Sequence, residues 1–187
     1  MPRSRYRMSP LLLLFVAVSS AKTADLSLDV KGLSGDLEQN VRALLSTIPD
    51  DEIANTPRFT RRVDDEIRRG LRAKGYYDPE IRFEVVKPAL ALKPVLTAIV
   101  EPGDPVRIEE TRINIEGQAR EDEAYIQLLK TGVPPDGTIL DHGTYDSFKS
   151  SLTGLAIRRG YFDADITKSQ LGVAASEFQA FWDIDFD

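Results

Sequence analysis

The amino-acid sequence predicts an α+β fold written twice, as two copies of a strand-helix-helix-strand-strand unit behind a leader. Three observations carry that prediction. The phrase KGYYDPEI at 74–81 returns as RGYFDADI at 159–166, 85 residues later. At the same offset, without a gap, Leu28 falls on Ile113, Val30 on Ile115, Gly32 on Gly117, Val41 on Ile126, Leu44 on Leu129, Val63 on Phe148 and Ile67 on Leu152. A shared apolar pattern at one fixed spacing marks a duplicated structural unit. Within each copy, finally, stretches that alternate apolar and polar residues flank stretches whose apolar residues recur every three to four positions.

The leader comes first. MPRSRYRMSP holds Arg3, Arg5 and Arg7 and no acid, and LLLLFVAV (11–18) and SSA (19–21) follow it. A basic start, a short apolar run and small residues at the cut read as a secretory signal over 1–21, cleaved after Ala21. A membrane anchor needs about 20 apolar residues; this run is half that and meets Lys22. The remaining chain carries 21 basic and 30 acidic residues, a net charge of -9, which gives no support to general nucleic-acid binding. The absence of cysteine excludes disulfides, thiolate chemistry, Cys-based zinc sites and a lipidated cysteine. Export without cysteine points toward a bacterial periplasm.

The first copy, 22–103, begins with LSLDVKGL, which alternates as a half-buried strand does, and Gly32 ends it. Asp36 is the expected N-cap of a helix in which Leu37, Val41, Leu44, Leu45 and Ile48 share one face, closed by Pro49. A second helix follows Pro57, with Phe59, Val63, Ile67 and Leu71 four apart as one stripe. Gly75 is expected to end it in the left-handed conformation, the aromatics folding back on the last turn. Asp78-Pro79 then forces an extended path. Ile81, Phe83 and Val85 alternate with Arg82 and Glu84 in a second strand. KPALALKP (87–94) turns the chain, and VLTAIV returns as a third strand.

The second copy, 104–187, repeats this order with RINIEG, DEAYIQLLKTG and a helix carrying Tyr145, Phe148, Leu152 and Leu155, ended by Gly160. DADITKSQLGVA and FQAFWDIDF are its last strands. Ile166 and the pair Leu171, Val173 fall on opposite parities, so this strand is expected to flip faces through a β-bulge. The joint EPGDP (101–105) is too short for free tumbling, and a semi-rigid tandem is expected. Two units of about 80 residues without disulfides have limited cores, so each is expected to be marginally stable alone.

VKGLSGDLEQNVRALLSTI, RFTRRVDDEIRRGLRAKGYYDPEI, SLTGLAIRRGYFDADITKSQLGV and AFWDIDFD, in that order, resemble the first two POTRA (polypeptide-transport-associated) domains of the TamA family. That family belongs to the BamA-like outer-membrane assembly superfamily. The resemblance runs from about Leu26 to Asp187. It implies in each copy a three-stranded mixed sheet covered by two helices. It also implies a periplasmic, non-enzymatic role in outer-membrane protein assembly and autotransporter secretion. Partners would be a TamB-like inner-membrane-anchored protein and unfolded outer-membrane protein clients, with no cofactor. A third POTRA domain and a C-terminal barrel, which tie the family to the outer membrane, have no counterpart in these residues. The alternative reading is a POTRA-bearing, membrane-anchored scaffold of the FtsQ type.

Side-chain chemistry offers little besides. His142, the one histidine, lies beside Asp141 and near Ser147, Ser150 and Ser151, but no nucleophile-elbow motif is present. LDHGTYDSF reads as a loop leading to Thr144 as an N-cap. Asp183, Asp185 and Asp187 share one strand face opposite Trp182, Ile184 and Phe186, and without a Gly-punctuated loop they read as solvated carboxylates. Residues 58–74 hold seven basic side chains against three acids. They read as a solvated helix face with the pairs Arg61–Asp65, Arg62–Glu66, Asp64–Arg68 and Asp65–Arg69, and second as a basic face for an acidic partner or lipid head groups. Tyr76, Tyr77, Tyr161 and Phe162 are expected in the core. The candidate site is therefore backbone. The resemblance puts the second strand of each copy at an open sheet edge, where an extended segment can add by β-augmentation. The expected docking edges are Ile81–Lys87 and Ile166–Gly172, with Ile81, Arg82, Phe83, Glu84 and Val85 in one copy and Ile166, Thr167 and Lys168 in the other.

Overall fold

Two helices intervene between the first and second strands of each copy, whereas a short turn joins the second and third. That connectivity lets the last pair close as an antiparallel hairpin and leaves the first strand to enter parallel to the third. The computed structural model of the protein describes residues 26–87, 89 and 93–187. The expected signal at 1–21, its cleavage after Ala21 and half of the 87–94 turn lie outside the described residues.

The first module comprises β1 (Ser27–Lys31), α1 (Gly35–Leu45), α2 (Pro57–Arg72), β2 (Glu80–Val86) and β3 (Val95–Glu101). Its sheet order is β1-β3-β2, with β1 parallel and β2 antiparallel to β3. The stripe of α2 faces inward: Phe59, Val63, Ile67 and Leu71 are all buried, together with Val41 and Leu45 of α1 and Leu96, Ala98 and Val100 of β3. Full burial of a Leu- or Ile-sized side chain is worth about 1.5–3 kcal/mol, so this stripe is the main reason α2 holds to the sheet. Thr56 caps α2 by accepting from the Phe59 N–H at 3.3 Å, and Pro57 stands at its first position. The N-cap of α1 is Ser34 and not Asp36, which lies inside the first turn. Asp36 there still favours the helix, because the N-terminal macrodipole attracts an acid.

The second module comprises β4 (Arg107–Ile115), α3 (Glu123–Gly132), α4 (His142–Arg159), β5 (Ile166–Ala174) and β6 (Gln179–Phe186). The order β4-β6-β5 repeats the parallel and antiparallel pairings of the first sheet. Trp182, Ile184 and Phe186 point into a core shared with Tyr125, Leu140, Phe148 and Leu152. The expected face change in β5 is a register shift between Ile166 and Lys168. A shift between Ile108 and Glu110 in β4 was not expected. Helix α4 starts two residues before Thr144, because Asp141 is its cap and accepts from the N–H groups of Gly143 (2.8 Å) and Thr144 (3.4 Å).

Candidate docking edges and the inter-module joint

With β3 and β6 central, the two sheets have four edge strands, and their outer sides differ. At β1, Arg42 reaches back from α1, donates to the Val30 carbonyl at 2.9 Å and pairs with Asp29 at 3.1 Å. A charged side chain bonded to the strand's own backbone obstructs an added strand. At β4, the segment 137–140 already pairs with the strand's start. Ile108 N–H donates to the Thr138 carbonyl (2.9 Å), Gly137 N–H to Ile108 (2.7 Å) and Leu140 N–H to Val106 (2.9 Å). Among the described residues, β2 and β5 have no such cover.

Those two edges are not equivalent. β2 runs in unbroken register, Glu80–Val86 against Glu101–Val95. In an antiparallel ladder alternate residues turn their N–H and C=O away from the partner, so about half of β2 presents unpaired backbone groups. Its side chains are Ile81 and Phe83, packed against the first core, and Arg82, Glu84 and Val85, which are exposed. Val85 does not follow the inward parity of Ile81 and Phe83 into burial: it is 40% exposed. Arg82 pairs with Glu101 at 2.6 Å, both well exposed, so the pair is worth little and gives way easily. β5 is bulged at Thr167, whose hydroxyl turns to the Asp185 carbonyl of β6, and Lys168 pairs with Asp183 across the sheet. Bulges twist an edge and spoil its template. Ile166 packs against the second core. The expected edge is therefore best formed in the first module.

The repeated phrase has a second use that sequence reasoning missed. Gly75 takes the left-handed conformation (φ 88) expected of it. Tyr76 then packs on the first core, but Tyr77 crosses to the second. There its hydroxyl bonds His142 Nε2 at 2.7 Å. Lys74 Nζ pairs with Asp141 at 2.7 Å, the Ala73 carbonyl accepts from His142 N–H at 3.0 Å, and the Gly75 carbonyl accepts from Val106 N–H at 2.8 Å. A Cβ on Gly75 would lie 2.6 Å from the Leu140 carbonyl oxygen, so only glycine lets the modules approach this closely. Burial would raise the Asp141 pKa, but Lys74 and the helix-cap N–H groups outweigh it and hold the carboxyl below its usual range. This joint fixes the tandem that the short linker only restrained.

The other candidates settle into structural roles. His142 belongs to the joint, while Ser150 and Ser151 donate to the Asp146 and Ser147 carbonyls of their own helix. Asp183 and Asp185 lie on the outer face of β6, Asp183 paired with Lys168. Among the described residues no group of three or more metal-ligating side chains converges, and no helix is long and apolar enough to cross a membrane. Of the pairs expected on α2, Asp64–Arg68 forms at 2.7 Å, whereas Arg62 reaches Glu52 and Arg69 reaches Glu66. Phe162 corrects the expectation of a core aromatic, being 81% exposed.

Residues 27–102, the span of the first module, match the family model of the POTRA domain, TamA domain 1. Among solved structures the chain is similar to BamA from Haemophilus ducreyi lacking POTRA domains 1-3, at 13% identity and a TM-score of 0.42, over 88% of this chain and 29% of that one. It is similar to the N-terminal domain of Omp85 from the cyanobacterium Thermosynechococcus elongatus at 16% identity and TM-score 0.41, covering 86% and 60%. POTRA1-2 of the periplasmic domain of Omp85 from Anabaena aligns at 16% identity and TM-score 0.37, covering 88% and 93%. The chain thus spans under a third of the BamA chain it matches.

Proposed function

We propose, from the match of residues 27–102 to the family model of the POTRA domain, TamA domain 1, that this chain is the periplasmic interaction region of a TamA-like outer-membrane protein assembly factor. On this reading residues 104–187 are a second POTRA domain, supported by the 85-residue repeat and the shared strand order. The region is non-enzymatic. It docks extended segments of a TamB-like partner or of unfolded outer-membrane protein clients, autotransporters among them, and a barrel beyond these residues ties it to the outer membrane.

The observation that carries the reading is β2: among the described residues it is the one sheet edge neither covered nor bulged. An extended segment added there draws its affinity from main-chain hydrogen bonds, which explains why no side-chain motif marks the site. Its sequence tolerance suits clients that share β-strand character and little else.

The test is a titration of isotope-labelled protein with a synthetic peptide copying one strand of an outer-membrane barrel protein. Amide shifts concentrated in Glu80–Val86, with smaller changes in Ile166–Gly172, are expected. Shifts confined to the basic face of α2, around Arg58, Arg61 and Arg72, would move the site there and refute edge docking.

A further inference from the structure

β1 carries the backbone of a docking edge as β2 does. The Ser27 N–H bonds the Pro94 carbonyl at 3.1 Å, so the parallel ladder turns Ser27, Asp29 and Lys31 toward β3. Leu28 and Val30 then turn their N–H and C=O groups to the open side. A hollow of about 430 Å³ lies there, lined by residues of β1 and by Leu45, Ile48 and Ile53 among others. The chain itself shows that an edge of this kind takes an extended segment. Residues 137–140 lie antiparallel along the start of β4, the matching strand of the second module.

One side chain stands in the way. Val30 is buried in the first core, so its neighbour Asp29 projects from the opposite face of the sheet. α1 packs on the core face, where its Val41 and Leu45 are buried. Arg42 leaves that helix, donates to the outward Val30 carbonyl at 2.9 Å and continues to Asp29 at 3.1 Å. Its guanidinium therefore straddles the line that an added strand must follow. Glu38, one turn earlier on α1, accepts from Arg42 Nε at 2.7 Å and fixes the fork in that pose. A planar guanidinium serves all three partners at once, which an ammonium does not. The fold does not require this contact. The 85-residue repeat puts Gln127 at the place of Arg42 and Asn114 at that of Asp29, and the second module builds the same sheet order without it.

We infer that Arg42 decides which edge of the first sheet takes an added segment: it closes β1, a second docking edge that is otherwise complete. The inference rests on the reading of β2 as a docking edge and adds the residue that leaves the sheet with one such edge and not two.

The test titrates isotope-labelled native protein and Arg42→Ala with the same barrel-strand peptide. In the native chain the amides of Leu28 and Val30 should not respond. In Arg42→Ala they should shift and exchange with solvent at least tenfold more slowly once peptide is added, and each chain should bind one further peptide. A silent β1 in Arg42→Ala overturns the inference, and so does a native chain in which Leu28 and Val30 already respond. The amide shifts of Val63 and Ile67 verify the first module's fold. If Arg42→Ala loses them, the double variant Asp29→Asn with Glu38→Gln, which keeps the arginine and removes both acids, decides by the same reading. Silence at Glu80–Val86 in the native chain refutes docking at β2 separately, because Leu28 and Val30 in the variant still report on Arg42.

Discussion

Gly75 and Gly160 share a left-handed backbone but only Gly75 has a carbonyl pressed against it, which makes them a matched pair for measuring the joint. Replacing Gly160 by alanine should cost about 1 kcal/mol, the ordinary penalty for a Cβ in that conformation. Gly75→Ala should cost more, because the alanine must also push away the Leu140 backbone, and calorimetry on both variants reads the difference. Equal costs would mean that the joint yields freely. Asp122 offers a second residue-scale test. Arg159 first, then the Ala124 N–H and the Tyr161 hydroxyl, hold its carboxyl below the usual range against the opposing pull of burial. A depressed folded pKa adds stability that is present above the unfolded value, near pH 4, and is lost as pH falls through the folded value. The second module should therefore weaken below about pH 4 and Asp122→Asn should flatten that acid limb. Trp182, the only tryptophan and buried in the second core, reports it by emission. An unchanged acid limb would remove Asp122 from the account.

At the scale of elements, α2 is the member whose packing decides the first module. Ile67→Ala should cost about 2–5 kcal/mol, as fully buried large-to-small changes do. Denaturant unfolding should then show the first module melting early while Trp182 holds its native signal longer. This helix was readable in the sequence because Pro57 and a four-residue apolar stripe act locally. The caps were less so. His142 and Gly143 are weak helix formers, so the pattern favoured Thr144 as the start. The tertiary environment instead lets Asp141 cap while also pairing with Lys74. The bulge in β5 was legible because a parity change within one strand has no other economical explanation. The bulge in β4 carries the same sign, with Ile108 and Ile113 on opposite parities, but a strand read only from RINIEG begins after it. Phe162 was misplaced because its place after a helix-ending glycine suggested folding back on the core, whereas Tyr77 at the matching place is covered by the second module and Phe162 is not.

For the whole molecule, the contacts of the joint predict that the two modules move together. Lys74→Ala with Tyr77→Phe removes the Asp141 pair and the His142 bond while keeping the apolar ring. The modules should then tumble with distinct rotational correlation times in spin relaxation, where the native chain should show one. A single shared time in the variant would assign the rigidity to the linker and backbone bonds. The edges themselves show how far sequence reaches. That the second strand is an edge followed from the resemblance, but Arg42 on β1 and the 137–140 segment on β4 are long-range contacts with no local signal. The central claim is that β2 is the docking edge, and in-cell cross-linking tests it most directly. Single cysteines at Arg82, Glu84 and Lys168, with controls on the exposed side of α2 at Arg58 and Arg61, would be placed in the protein expressed in its own cells. Adducts to a partner or client from positions 82 and 84, fewer from 168 and none from the helix, are the predicted result. Adducts from the helix positions alone would contradict the account.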